Sequence, residues 1–463
     1  MERRRVSTLA GGGLGLVLIA AVGTAAVVWA GADWGQEFKL VPDDAAPWDQ
    51  IGLAVATDGQ VALVGSPQDD DLGLESGSVY LYDVATGKAL GKLTAADGTF
   101  RDFFGRSVAV EGPYAVVGAP GDHVAAYNSG SAYVFDATTW QQLRKLSASD
   151  GAQEDAFGRS VALSGGLAVI GAPGDDDVAP DSGAAYVFDL ATGQELRKLT
   201  ATGGAADDEF GRSVALSGTY ALVGSYLHDA MGQDSGAVYV FDVTTGQQIH
   251  KLMGDGGSSD DWFGYAVALD GHMALIGAPH DWPGGIPWAG SAYVFDVQSG
   301  QQVWKLTPDD ASQNDAFGFS LGLDGHLGAI GMTNWDAACG DEGAVYVFDL
   351  TVGEQLDRLT ADDGMPGDWL GGAVDINNGF VVAGARGVAD GGDGAGAAYV
   401  FYGKLCGADV HVDGLVDVMD LLALLGAWGP CEPAGVCPAD LNGDGVVDVL
   451  DLLELLAAWG PCP

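Results

Sequence analysis

The sequence predicts a mainly β protein, a seven-bladed β-propeller of four-stranded blades followed by a small helical domain. Three observations predict it. A unit of about 53 residues recurs seven times. Each unit carries four short β-rich runs separated by turn residues. Two copies of an acidic loop centred on glycine, each leading into a leucine-rich run, end the chain.

The first element is a leader. Arg3, Arg4 and Arg5 make a positive start, an uncharged stretch runs from Val6 to Ala32, and Ala30-Gly31-Ala32 offers a small-residue cleavage site. Such a segment directs export. Its apolar run exceeds the roughly 7–15 residues of a signal core and passes the roughly 18 residues of a membrane span. Residues 1–32 are therefore either a cleaved signal peptide or an uncleaved N-terminal anchor. Membrane contact is expected only through such an anchor, and the rest of the chain is expected to be secreted or at the cell surface. The formal net charge is −45, from 64 acidic against 19 basic residues. That balance excludes nucleic acid, whose phosphates need a basic face, and favours divalent cations or basic surfaces.

The repeats come next, over residues 35–402. One unit reads FGRSVALSGGLAVIGAPGDDDVAPDSGAAYVFDLATGQELRKLTATGGAADDE, from Phe157 to Glu209. Equivalent units start at Ile51, Phe104, Phe157, Phe210, Phe263, Phe317 and Leu370, each followed by glycine. A tyrosine returns seven times, at Tyr80, Tyr133, Tyr186, Tyr239, Tyr293, Tyr346 and Tyr399. The runs FGRSVAL, LAVIGA, GAAYVFDL and ELRKLTA read as strands. SGG and ATGQ read as tight hairpin turns, and the other two connectors are longer and acidic. Runs such as AYVF are apolar on both faces, so each sheet is expected to be covered on both sides. Four strands per unit, seven units and two buried faces together specify a propeller.

Closure follows from register. The last unit stops at Tyr402, after its third strand, and the segment GQEFKLVPDDAAPWDQ, residues 35–50, mimics ELRKLTA and its acidic loop. Phe38 to Val41 is thus expected to complete the seventh blade. Because antiparallel strands alternate direction, the loops between strands 2 and 3 and those between blades emerge on one face. That face is acidic and is the expected ligand face, for a protein or a glycan. Its candidates are Asp69, Asp122, Asp175 and Asp281, with Trp282 and Trp335 as stacking surfaces and His123, His228 and His280 nearby. The fifth and sixth units, with HDWPGGIPWAG and TNWDAACGDEG, depart most from the repeat.

FGRSVAL…VIGAP resembles the FG-GAP repeat, which builds the seven-bladed propeller of integrin alpha-subunit heads and of many bacterial surface proteins. The resemblance implies a binding or adhesion role. Calcium-binding blades of that family carry D-x-D-x-D-G between the first two strands. Here that place holds only SGG, SGT, DGH or EGP, so no calcium site is expected in the blades.

The tail, residues 406–463, carries the metal chemistry. Asp440, Asn442, Asp444, Asp448 and Asp451 stand at positions 1, 3, 5, 9 and 12 of an EF-hand-type loop, with Gly445 at position 6 and the Val446 carbonyl at 7. The departure is Asp at position 12 instead of Glu. The pattern recurs 31 residues earlier as Asp409, His411, Asp413, Leu415, Asp417 and Asp420. His411 stands where a hard cation prefers oxygen, so the first site is expected to be weaker. Calcium is the expected cofactor. Two such loop–helix units at the end of an exported chain resemble a dockerin, which implies calcium-dependent docking to a cohesin-like or other surface partner. Val418, Met419, Val449 and Leu450 are either core or docking face. Four cysteines flank the two units, and the preferred disulfides are Cys406–Cys431 and Cys437–Cys462. Cys339 is left over.

No H-E-x-x-H or G-x-S-x-G occurs, and the G-x-G-x-x-A at Gly392 precedes a strand where a dinucleotide fingerprint would follow one. His272 and His326 fall in tight turns on the opposite face. The reading is a binding protein. The alternative is a polysaccharide-active lyase or hydrolase with the same tail, its site in the fifth or sixth unit.

Overall fold

The computed structural model describes residues 33–335, 340–404, 415–416, 418–430, 439, 441, 446–457 and 459–461. The third blade shows how the repeat folds. Its strands are Ser160–Ser164, Leu167–Ala172, Ala184–Asp189 and Gln194–Leu199, paired antiparallel in chain order. Successive side chains in a strand point to opposite faces. Val169 and Val187 pack towards the fourth blade, and Ile170, Tyr186 and Phe188 towards the second. Both faces of the sheet are buried, which is why these strands read as continuous apolar runs. The first strand lines a central channel, and the fourth lies outermost and largely exposed.

Six of the four-stranded sheets follow this order, and the seventh closes the ring. It contains Leu370–Asn377, Phe380–Ala385 and Ala397–Lys404, with Asp33–Leu40 as its outermost strand. Lys39 stands opposite Tyr399, and Leu40 opposite Ala398. The closing strand starts earlier than FKLV alone, because its pairing continues through Trp34, which is buried in the seventh-blade core.

Adjacent blades are latched by single parallel bridges: Gly77 to Phe104, Gly130 to Phe157, and so on round to Gly396 with Ile51. Glycine is required at this latch. Gly183 has φ of +80°, and a Cβ there would lie 2.0 Å from the Phe210 carbonyl oxygen. The aromatic half of each FG pair then fills the blade interface. Phe210 meets Tyr239 and Phe241 edge-on, with ring centroids 5.5 and 5.8 Å away, a favoured aromatic geometry.

The tail contains two helices, α1 (Val418–Gly426) and α2 (Val449–Ala457). Short bridges pair Leu415–Val416 with Gly460–Pro461 and Gly429–Pro430 with Val446–Val447, so each unit exchanges its ends with the other. Val416, Leu424, Val447 and Leu455 are buried in one cluster. They form two pairs related by the 31-residue repeat, which fits a duplicated module.

Candidate functional site

The recurrent tyrosine organises the acidic face. In the third blade Tyr186 stands opposite Lys198 on the neighbouring strand. The Tyr186 hydroxyl donates to Asp175 (2.7 Å) and to Asp150 (2.8 Å). The Lys198 ammonium pairs with Asp150, Asp175 and Asp177 at 2.8, 2.7 and 2.5 Å. Asp150 comes from the loop leaving the preceding blade, so the cluster clasps two blades. Burial works against the charge on Lys198, but its hydrogen bonds to the three carboxylates outweigh that and raise the ammonium above its usual range. Burial likewise opposes ionisation of Asp150, yet hydrogen bonds from Lys198 and Tyr186 hold it below the usual carboxylate range.

The clasp recurs with substitutions. Tyr80, Asp44, Asp69 and Lys92 form it in the first blade, and Tyr133, Asp97, Asp122 and Lys145 in the second. Tyr293, Asp281 and Lys305 form a smaller version. In the seventh, Lys39 on the closing strand reaches Asp363 and Asp390, so the same chemistry fastens the ring. The fourth blade differs. His228 replaces the aspartate, lies 2.9 Å from Asp208 and meets the Lys251 ammonium at 2.5 Å, and the buried Tyr239 hydroxyl has no hydrogen-bond partner among the described residues. Without a carboxylate contact, burial lowers the Lys251 ammonium. The Asp44, Asp69, Asp71 and Asp150, Asp175, Asp177 groups each place three carboxylate oxygens within 4.8 Å, close enough to hold a metal ion. Lys92 and Lys198 already supply a cation to each.

The centre of the same face is different in kind. A recess of about 390 Å³ opens there between the blade loops and contains Arg106, Arg159 and Arg386. It leads into the channel, where Arg212, Tyr265 and Phe319 join the wall. The guanidinium of Arg212 lies against both the Tyr226 and Tyr265 rings, 5.6 and 5.1 Å from their centroids. Arg386 lies 5.2 Å from the centre of the Trp369 ring.

Comparison with known families finds that a model of the FG-GAP repeat matches residues 34–82, 89–135, 140–188, 194–241, 247–295, 301–348 and 354–401. The chain belongs to the FG-GAP repeat family. Each matched segment joins the outer strand of one blade to the first three of the next, and the first begins on the closing strand. No curated protein matches the chain. An FG-GAP propeller is consistent with a binding or adhesion-type protein, and such repeats are typical of extracellular proteins. Among the described residues, no helix is long and apolar enough to cross a membrane.

On this FG-GAP propeller the sequence-derived ligand candidates separate. Asp69, Asp122, Asp175 and Asp281 are buried and belong to the clasps, so they do not present acceptors to a ligand. The correction has a physical reason: the strand register brings a tyrosine and a lysine onto each of them. Trp282 is 51% exposed and Trp288 44% exposed, set edge-on to each other at 6.1 Å, so the fifth blade carries an aromatic rim. His280 stacks on Trp262 at 3.5 Å. Trp335 is half-buried under Arg358, 4.4 Å from its ring centre. His123 stays on the second-blade loop, packed on Tyr127. The recess arginines were not singled out in the sequence. The signal for Arg106 and Arg159 was the R of FGR, repeated at 53-residue spacing in a chain with few basic residues; Arg386, in GAR, carried no such signal.

In the tail, Asp420 and Asp451 are fully buried, and Asp451 accepts the backbone N–H groups of Leu441 (2.8 Å) and Asp448 (2.7 Å). Val446 and Leu415 lie on the short bridging strands. Asp409, His411, Asp413, Asp417, Asp440, Asn442 and Asp444 lie outside the described residues, as do Cys339, Cys406, Cys431, Cys437 and Cys462 and the leader.

Proposed function

We propose that this chain is an exported binding protein with two working ends. The FG-GAP propeller presents its loop-rich face to a ligand, and the tail acts as a dockerin-like module that attaches the propeller to a cohesin-like or other surface partner through calcium. The observation that carries the reading is a doubled set of exposed apolar side chains. Val418 and Val449, Leu422 and Leu453, Leu425 and Leu456, and Trp428 and Trp459 are paired by the 31-residue repeat, and all are 47–58% exposed. Leu424 and Leu455, on the same helices, are buried in the tail's core. Two short helices that leave so much apolar surface outward are suited to a partner. This favours docking for Val418 and Val449, which the sequence left open between core and surface.

The residues fit a hard cation. Asp451 and Asp420 are carboxylates at zero exposure beside loops rich in oxygen donors. Asp440, Asn442, Asp444, Asp448, Asp451 and the Val446 carbonyl would hold one ion. Asp409, His411, Asp413, Asp417, Asp420 and the Leu415 carbonyl would hold a weaker one. Bound calcium would neutralise the acidic loops and so couple ion binding to tail folding. Calorimetric titration of calcium into the full chain and into Asp451→Asn tests this. Saturable binding, weakened in the variant, supports the reading, and no calcium binding by the full chain overturns it.

A further inference from the structure

The recess at the channel mouth gathers positive charge in a chain with a net charge of −45. Arg106, Arg159 and Arg212 occupy one repeat position, at the entrance of the first strand. Arg386 enters from the seventh blade, at the place where the first three blades carry Pro67, Pro120 and Pro173. Arg212 has a carboxylate 3.8 Å away, on Glu209. Arg106, Arg159 and Arg386 pair with no carboxylate among the described residues. The Nε of Arg386 is buried with no hydrogen-bond partner among the described residues, which is uncommon for a charged donor. Burial, and then the like charges of Arg212 and Arg386, lower the Arg106 guanidinium to about 10. Glu154 also lines the recess but makes no ion pair with these arginines among the described residues. Arginines held together without an ion-pair partner form a preorganised site for an oxyanion, since each guanidinium is a planar fork matched to carboxylate or sulfate.

The recess opens into the channel, whose opposite wall carries Tyr265 and Phe319. Tyr226 packs edge-on against Trp262 and Tyr265, both at 5.5 Å, and Tyr265 continues to Phe319 at 5.0 Å. Arginines on one side and an aromatic arc on the other suit a ring that bears a negative group. The recess, about 390 Å³, lies within the roughly 300–1,000 Å³ of small-ligand sites. The acidic clasps around it would repel an extended polyanion, which favours a single terminal unit.

We propose that the channel mouth binds an acidic sugar unit, with Arg106, Arg159 and Arg386 holding its carboxylate or sulfate and the Tyr226–Tyr265–Phe319 arc meeting its ring. This deepens the binding-protein reading and rests on the loop-rich face being the ligand face. The test is calorimetry on the full chain with D-glucuronic acid, D-glucose and sulfate at constant ionic strength. Glucuronic acid is expected to bind saturably, and at least roughly tenfold tighter than glucose or sulfate, because a hydrogen bond to a charged group is worth about a tenfold factor or more. Arg386→Gln and Arg106→Gln should each weaken it roughly tenfold while keeping or raising the melting temperature, since each removes like-charge repulsion. Tyr265→Ala should weaken glucuronic acid but leave weak sulfate binding in place. Three results would each overturn the proposal: no saturable glucuronic acid binding, glucose or sulfate bound as tightly, or arginine variants that bind unchanged. Should an arginine variant unfold, Arg106→Lys replaces it, and loss of the fork with charge retained should still weaken binding. Failure here with calcium-dependent docking intact would overturn the ligand class and leave the binding-protein reading standing.

Discussion

Replacing Lys198 with methionine isolates the clasp that holds the third blade to the second. The substitution keeps the aliphatic stem and removes one ammonium from three carboxylates at 2.8, 2.7 and 2.5 Å. Asp150 and Asp177 side chains are 40% and 65% exposed, so water screens them and each contributes less than about 1 kcal/mol. Asp175 is buried, and losing its cation leaves a charge stranded in the blade. Breaking a buried pair costs about 3–5 kcal/mol. Lys198 itself retains some solvent contact, so the expected loss is near the lower end, about 3 kcal/mol. At about 2 °C per kcal/mol for a large domain, scanning calorimetry in chelator should show a fall of roughly 6 °C. Lys198→Met/Asp175→Asn should recover most of it, because asparagine can still accept the Tyr186 hydroxyl without a buried charge. Calcium should narrow the gap between Lys198→Met and the parent, since the three carboxylates lie within 4.8 Å of one another. A loss below about 1 kcal/mol, or a double variant no more stable than the single one, would refute the clasp.

Phe210→Ala should cost about 3–5 kcal/mol in urea denaturation, because the ring fills the blade interface and the space cannot collapse. His228→Asp should give the Tyr239 hydroxyl an acceptor and Lys251 a counter-charge, raising stability by about 1 kcal/mol at pH 8 by thermal melting. Asp375 lies on the channel wall, accepts the Thr57 N–H at 2.8 Å, and is pushed by burial up to about 7. Its folded pKa is above its unfolded one, so the folded state holds the extra proton between about pH 4 and 7 and stability falls as pH rises through that window. Asp375→Asn should therefore raise the melting temperature at pH 8 by about 5 °C more than at pH 5, from roughly 2.6 kcal/mol of linkage at about 2 °C per kcal/mol.

The repeat spacing, the two buried faces and the borrowed strand were legible because each is a property of order along the chain. Asp175 shows where that legibility ends. Its recurrence was visible, but its partner Lys198 becomes evident only once the third and fourth strands are paired across an irregularity between Val187 and Phe188. The arginine mouth was hidden for a related reason. Arg106 and Arg159 stand on neighbouring blades, and Arg386, far off in sequence on the seventh, joins them only when the ring closes. In the tail, the spacing of Asp448 and Asp451 carried the expected chemistry. The outward aspect of Leu422 and Leu453 required the fold, since Leu424 and Leu455 look the same in sequence and are buried.

The most direct test of a calcium-docked binding protein is retention of the purified full chain on envelope fractions of its source organism, with calcium or with chelator. Leu422→Glu/Leu453→Glu serves as the matched control. The expected result is retention in calcium that is lost both in chelator and in the double variant. Equal retention in all three conditions, or none in calcium, would contradict the docking role of the tail.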